Sequence, residues 1–445
     1  MKPKSIVTRR PSIALTPLLL FVFCFVGTGI ALSIIGYDKP FYQVSPTVLI
    51  IPAIVLALLL SPKDWEGRMG DLITGAGNPT MITMCFIYLL AGAFSQVSAA
   101  IGGIESTVNF ALQFISGIWL LPGIFVSAAF ISVSMGSAMG TIAAVAPIAL
   151  GVAESTGISV PVAMGTLVGG AMFGDNLSMI SDTTIAAAKT QQAELKDKFR
   201  FNAAIALPAV IITVIVLLLL GETGSAGDIG DYHLLKILPY VAVLGLALTG
   251  MDVLIVLLLG ILLAGGIGLV MIEDFTLLFF AQKIFKGFDD MSWIFYLSMM
   301  IGGLGELVRQ QGGIDYLIEV IARITRKLSG KENSARAGEF GISVLVSIAD
   351  ICTAINTVAI LICGDAARQI AKRNNIPAWR SAGLIDIFSC VFQGILPYSA
   401  QILLAGAFSG ASPIDILLNV HYCYILGIVA LGAIFFQKPR CLHNR

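Results

Sequence analysis

Apolar runs of about 20 residues recur from one end of this chain to the other, and each is long enough to cross a bilayer as a helix. Charged residues make up only 12% of the sequence, against roughly 25% in a soluble domain. The class is therefore an all-α polytopic membrane protein with about 11–14 transmembrane segments.

The runs cover 12–35, 45–61, 79–101, 117–135, 137–153, 161–189, 202–221, 236–250, 252–272, 288–309, 337–352, 353–368, 377–405 and 413–437. The short ones, 137–153, 236–250, 337–352 and 353–368, also fit re-entrant hairpins. The first run has a basic tail like a secretory signal. Its apolar core exceeds ~20 residues and no small-x-small site follows, so it reads as an uncleaved span. Lys and Arg collect on cytoplasmic loops. With the N-terminus placed inside by Lys2, Lys4, Arg9 and Arg10, all but Lys39, Lys236, Lys283 and Lys286 of the 27 basic residues fall inside. Both termini are then cytoplasmic, in the cytoplasmic membrane. The outside loop 222–235 carries Glu222, Asp228 and Asp231 with no basic residue.

Several functions are disfavoured. The net charge is zero, which implies no nucleic-acid partner. The seven Cys include no Cys-x-x-Cys pair and the three His are far apart, so neither a metal cluster nor a disulfide framework is read. No nucleophile–base pair or phosphate-binding loop supports an enzyme, and no cofactor is expected.

Two segments echo each other. "AGAFSQVSAAIGGIES" (91–106) matches "IGGLGELVRQQGGIDY" (301–316): Gly92, Gly102, Gly103 and Ile104 fall on Gly302, Gly312, Gly313 and Ile314, a spacing of 210. Gly77 and Met81 meet Gly287 and Met291 at the same spacing. Further on the spacing becomes 216, where Ala138 meets Ala354, Thr141 meets Thr357 and Pro161 meets Pro377. An odd number of crossings separates the copies, so the second lies upside down. Inverted repeats place a transport site near mid-membrane between them. The chain divides into N-terminal helices (1–76), repeat 1 (77–201, broken helix 161–189), linking helices (202–286), repeat 2 (287–410, broken helix 377–405) and a C-terminal helix and tail (411–445).

The chemistry concentrates in "AMFGDNLSMISDTTIAAAKT" (171–190). Gly174 is costly inside a helix and Asp and Asn compete for its backbone bonds, so a break is expected there. Exposed helix ends at such a break bind ions where protein or water covers them. Asp175, Asn176, Ser178, Ser181, Asp182, Thr183 and Thr184 supply polar groups, mostly oxygens, for a hard cation. Na⁺ is assigned to Asp175 and Asp182. Desolvation favours the protonated form of a carboxylate and a nearby cation the ionised form, so one site can hold H⁺ or Na⁺ in turn. Capping of the half-helices is the plainer role, with Asp182 placed to cap from Thr183; ionisable groups within a membrane are functional by default. The facing wall comes from repeat 2: Asp386 and Ser389, then a break at Pro397. Asn356, Thr357, Gln393, Tyr398 and Ser399 are weaker candidates for contacting a solute.

The stretch "FGDNLSMISDTTIAAA" resembles the NhaC-type sodium/proton antiporter family, whose pattern is close to G-D-K-[LM]-S-P-L-S-D-T-T. Gly174, Asp175, Leu177, Ser178, Ser181, Asp182, Thr183 and Thr184 match; Asn176 and Met179 stand where the family has Lys and Pro. Asp386, Ser389, Pro397 and Tyr398 resemble that family's second conserved region more loosely. The resemblance implies secondary active exchange of Na⁺ for H⁺ by alternating access. The two departures, with the uncharged cluster Asn356, Gln393, Tyr398 and Gln401, keep open a Na⁺-coupled carrier of an amino acid or organic anion. Expected partners are Na⁺, H⁺ and the lipid bilayer, with a homodimer as a further expectation.

Overall fold

The computed structural model describes residues 11–37, 43–115, 117–220, 230–316, 319–320, 323 and 334–438. The basic N-terminal tail, Lys39, Glu222 and Asp228 lie outside these residues, as does most of the basic stretch before Arg336. Among the described residues all regular structure is helical, and eight helices are long and apolar enough to cross a membrane.

The chain starts with α1 (Thr16–Ile35), α2 (Pro46–Leu60), α3 (Trp65–Ala76), α4 (Pro79–Ala100) and α5 (Gly103–Phe114). There follow α6 (Leu120–Met135), α7 (Ala138–Thr156), α8 (Val160–Leu177), α9 (Asp182–Gln191) and α10 (Leu195–Leu220). Next come α11 (Leu234–Leu248), α12 (Val253–Met271) and α13 (Leu277–Gln310). The last group is α14 (Ala335–Thr353), α15 (Asn356–Arg373), α16 (Ala378–Ile395), α17 (Ala400–Ser409), α18 (Pro413–Leu418) and α19 (His421–Phe436).

Several expected edges move. Helix α13 begins well before residue 288 and α10 before residue 202, because charged turns propagate helix where neighbours or solvent satisfy the side chains. The run 413–437 is two helices, α18 and α19. Helices α3 and α5 are amphipathic and too short for an apolar-run search to register.

Helices α4 and α13 cross antiparallel. The Gly92 position meets the backbone of Gly287, where a Cβ would stand 2.3 Å from its carbonyl oxygen, so only glycine allows this approach. Along the crossing Cys85 Sγ meets the Phe295 carbonyl at 3.6 Å and Ser298 Oγ meets Tyr88 Oη at 3.5 Å. Each of these pairs joins residues 210 apart. Gly92 lies against Met291 and Gly302 against Met81, contacts that the same spacing exchanges.

The two broken helices and their hairpins follow. Phe125 lies against Gly170 and Ser132 against Gly174, so α6 runs parallel to α8. Helix α7 returns between them, making α6–α7 a hairpin with its tip, Gly136–Ser137, against Ile180 and Ser181. In the later half Arg380 pairs with Glu339 at 2.7 Å and Gln393 Nε2 donates to the Ala354 carbonyl at 3.0 Å. Helix α14 therefore runs parallel to α16, and α14–α15 is a second hairpin with its tip at Ala354–Ile355. Helix α10 passes back along the first broken helix, with Lys198 beside Thr184 and Asn202 beside Asn176, so α8 and α9 continue in one direction across the break. Helix α15 lies along α9, joined by Gln191 Nε2 to the Gly364 carbonyl at 2.8 Å. The two hairpins thus reach the first break from opposite ends, and α17 of the second broken helix packs on α7 of the first hairpin.

Candidate functional site

The first break is Ser178–Ser181, between α8 and α9. Gly174 is not part of it, contrary to the expectation from sequence. It sits inside α8, where a Cβ would stand 2.1 Å from the Ser132 Cβ, so its smallness serves the approach of α6 rather than a break. The second break is Leu396–Ser399 and contains Pro397, as expected.

Asp175, near the end of α8, is 6% exposed. Its Oδ1 accepts from Ser181 Oγ at 2.5 Å, and Ser181 Oγ lies 2.9 Å from Thr183 Oγ1. A serine in the Ser181 position ordinarily caps the following helix. Here α9 has no side-chain cap, because the hydroxyl is turned to Asp175. The other carboxylate oxygen accepts from Asn356 Nδ2 at 3.4 Å, across from the tip of the α14–α15 hairpin. Asp182 is exposed and opens α9; it does not cap the helix. Asp175 and Asp182 line one cavity of about 80 Å³ with Ser137, Ser181, Thr183, Asn356, Thr357 and Gln401. Ser178 is buried, and its hydroxyl accepts from Ile180 N at 3.3 Å within the break.

A second cluster adjoins the first. Asp386 on α16 is 0% exposed. Its Oδ2 accepts from Lys198 Nζ at 2.5 Å and from Asn202 Nδ2 at 2.7 Å. Lys198 also donates to Thr184 Oγ1 at 2.6 Å, and Asn202 Nδ2 reaches both oxygens of Asn176 at 3.1 Å. Asp386 Oδ1 and Asn202 Oδ1 are buried with no hydrogen-bond partner. Ser389 is buried, with its hydroxyl donated to the Asp386 carbonyl at 2.9 Å.

Lys198 and Asn202 escaped the sequence reading. Charge alone groups Lys198 with the cytoplasmic loop residues, whereas it lies in α10 at 1% exposure. The available signal was its spacing: Lys198 and Asn202 are four apart and share a helix face.

The remaining candidates form a third, neutral group at the second break. Gln393 Nε2 donates to Gln401 Oε1 at 3.0 Å as well as to the Ala354 carbonyl, and Tyr398 Oη donates to the Ile351 carbonyl at 2.8 Å. Ser399 Oγ caps α17 at Ile402 N. Sequence grouped these residues with Asn356 and Thr357; the structure sets Gln393, Tyr398 and Ser399 apart from the cavity and brings only Gln401 to it.

Residues 48–222 match the model of the Na⁺/H⁺ antiporter family. The chain is 23% identical to the Na⁺/H⁺ antiporter NhaC of Bacillus subtilis (strain 168), over 95% of this chain and 97% of that protein. It is 23% identical to the NhaC of Alkalihalophilus pseudofirmus, over 93% of this chain and 94% of the relative. A malate-2H⁺/Na⁺-lactate antiporter of B. subtilis is 24% identical over 66% of this chain and 65% of its own length. The matched region contains the first break with Asp175 and Asp182, and the likeness to both NhaC proteins runs through the second. Over most of its length the chain is thus similar to NhaC-type sodium/proton antiporters.

Proposed function

We propose that this protein exchanges Na⁺ for H⁺ across the cytoplasmic membrane, with Asp175 as the group that holds each in turn. The observation that carries the reading is a buried carboxylate, hydrogen-bonded to Ser181 and Asn356, facing a cavity of about 80 Å³ lined by hydroxyls and amides. Organic ligands ordinarily occupy pockets of about 300–1,000 Å³, so this space suits an ion with few waters. Hydroxyl and carboxylate oxygens are the ligands a hard cation takes. Proton and sodium compete for the same oxygens, and mutually exclusive occupancy is sufficient for exchange.

Alternating access follows from inverted repeats, with each hairpin covering the break from its own side. The antiparallel crossing of α4 and α13, with contacts exchanged at a spacing of 210, supports that reading. Asp182, exposed at the cavity, serves as the outer acid that receives the ion before Asp175. The basic residues at the ends of α9 and α15 and the starts of α14 and α16 support a cytoplasmic position for that end.

A Na⁺-coupled carrier of an organic anion or amino acid is the second reading. A cavity of about 270 Å³ supports it, between α3, α4, α13 and α15, lined by Asn78, Glu306, Arg309 and Thr353. Proteoliposomes with a pH dye inside separate the two. Sodium-driven proton flux without any organic solute is the expected result. Vesicles that show no proton flux yet accumulate labelled lactate, malate or arginine on a sodium gradient would overturn the exchange reading.

A further inference from the structure

The site contains two buried carboxylates and one buried ammonium. Asp175 belongs to the cavity, whereas Asp386 is engaged by Lys198 and Asn202. The two are linked through Asn176, which follows Asp175 in α8 and is hydrogen-bonded by Asn202. Asp182 is exposed, so water and salt screen its charge. Among the charged groups of this buried network, Asp175, Asp386 and Lys198 leave one net negative charge.

A charge that is removed from water demands compensation, and the demand is set by the net count. One negative charge is balanced by a single Na⁺ or a single H⁺. Without an ammonium the same buried network, Asp175 at the cavity and Asp386 behind Asn202 and Asn176, would carry two negative charges, the condition that favours a divalent cation or two monovalent ones. Asp386 Oδ1 is buried and has no hydrogen-bond partner, so that carboxylate keeps one acceptor oxygen uncommitted.

We propose that Lys198 sets the valence of the site: by holding Asp386 as a permanent internal pair it leaves a pocket that takes one monovalent cation and rejects divalent ones. Lys198 suits this role by position. It has 1% exposure, and its ammonium is tied to α16 through Asp386 and to α9 through Thr184. Lys198 is thus a specificity-determining residue that acts through Asp386. The inference rests on the cation site proposed above, and its test reads binding rather than transport.

The experiment measures radioactive sodium and radioactive calcium binding to detergent-purified protein at alkaline pH. The wild type is expected to bind sodium and to ignore calcium. Lys198→Gln is expected to bind calcium at least ~10-fold more tightly than the wild type does, the direction Coulomb attraction to a second uncompensated charge requires. Asp386→Asn leaves Lys198 opposed to Asp175, and sodium affinity is expected to fall at least ~10-fold by the same argument. The double variant Lys198→Met/Asp386→Leu removes both charges and restores the count. Replacement of a buried pair by apolar residues is often neutral for folding. This variant is expected to recover sodium binding and lose the calcium gained by Lys198→Gln. Calcium binding by Lys198→Gln that stays at the wild-type level overturns the proposal, as does a double variant that still prefers calcium. Wild-type protein that binds no sodium overturns the exchange reading instead, and the calcium comparison still decides the role of Lys198.

Discussion

The two broken helices share an architecture and differ in chemistry. Each is interrupted by four residues, Ser178–Ser181 and Leu396–Ser399, and each lies against the tip of a hairpin whose first helix runs parallel to it. At the first break the polar groups are an acid and hydroxyls, and they open onto a cavity. At the second they are amides, a phenol and backbone carbonyls bonded to one another. Asp175 lies three residues before its break, and Gln393 three before the other. The acid needs a counter-ion that protein does not supply there. The glutamine satisfies its amide hydrogens within the fold. On the exchange proposed above, the first break is the one that holds the ion, while the second holds a hairpin tip in place.

The comparison is broken most directly at its charged member. Asp175→Asn keeps the shape and removes the charge, so sodium-driven proton flux in proteoliposomes is expected to fall at least ~100-fold, a loss of about 2.7 kcal/mol of binding. If the flux persists within a few-fold, the first break is not the ion site. Gly174→Val tests the packing behind it. The new side chain would collide with Ser132, and overpacking of this kind costs about 1–3 kcal/mol. The expected result is a lower unfolding temperature in detergent together with weaker sodium binding, since α6 carries the hairpin tip.

Gln393→Ala addresses the neutral break. It strips the Ala354 carbonyl and Gln401 Oε1 of a donor, and leaving buried groups unsatisfied costs ~1–3 kcal/mol. Thermal stability is expected to drop while sodium affinity changes less than it does in Asp175→Asn. A sodium defect as severe as that of Asp175→Asn would show that both breaks bind the ion. The smallest expected effect is that of Tyr398→Phe, which removes one hydrogen bond to Ile351 worth about 1 kcal/mol. Its thermal unfolding should shift slightly downward with transport intact.

Much of this was legible before any coordinates. Apolar run length sets membrane helices because lipid offers the backbone no hydrogen bonds, and that rule needs no knowledge of neighbours. Polar residues inside such a run mark a break for the same local reason; Pro397 lies in the second break as expected, whereas the first, expected at Gly174, lies further along at Ser178–Ser181. Gly174 was misread because a glycine in a helix has two meanings, a weak point or a close approach. Only the position of Ser132, 42 residues earlier, distinguishes them.

The sequence by itself determined the membrane-helical class and the acids that flank the first break, since each follows from residue type and local spacing. Tertiary structure alone decided which acid is free. Asp175 and Asp386 look alike in sequence, and Lys198 resembles the other basic residues flanking a span. Folding carries Lys198 to Asp386, 188 positions away, and buries both, while Asp175 keeps the cavity. A charge in the bilayer is governed by what stands beside it in space, and chain order does not encode that neighbour.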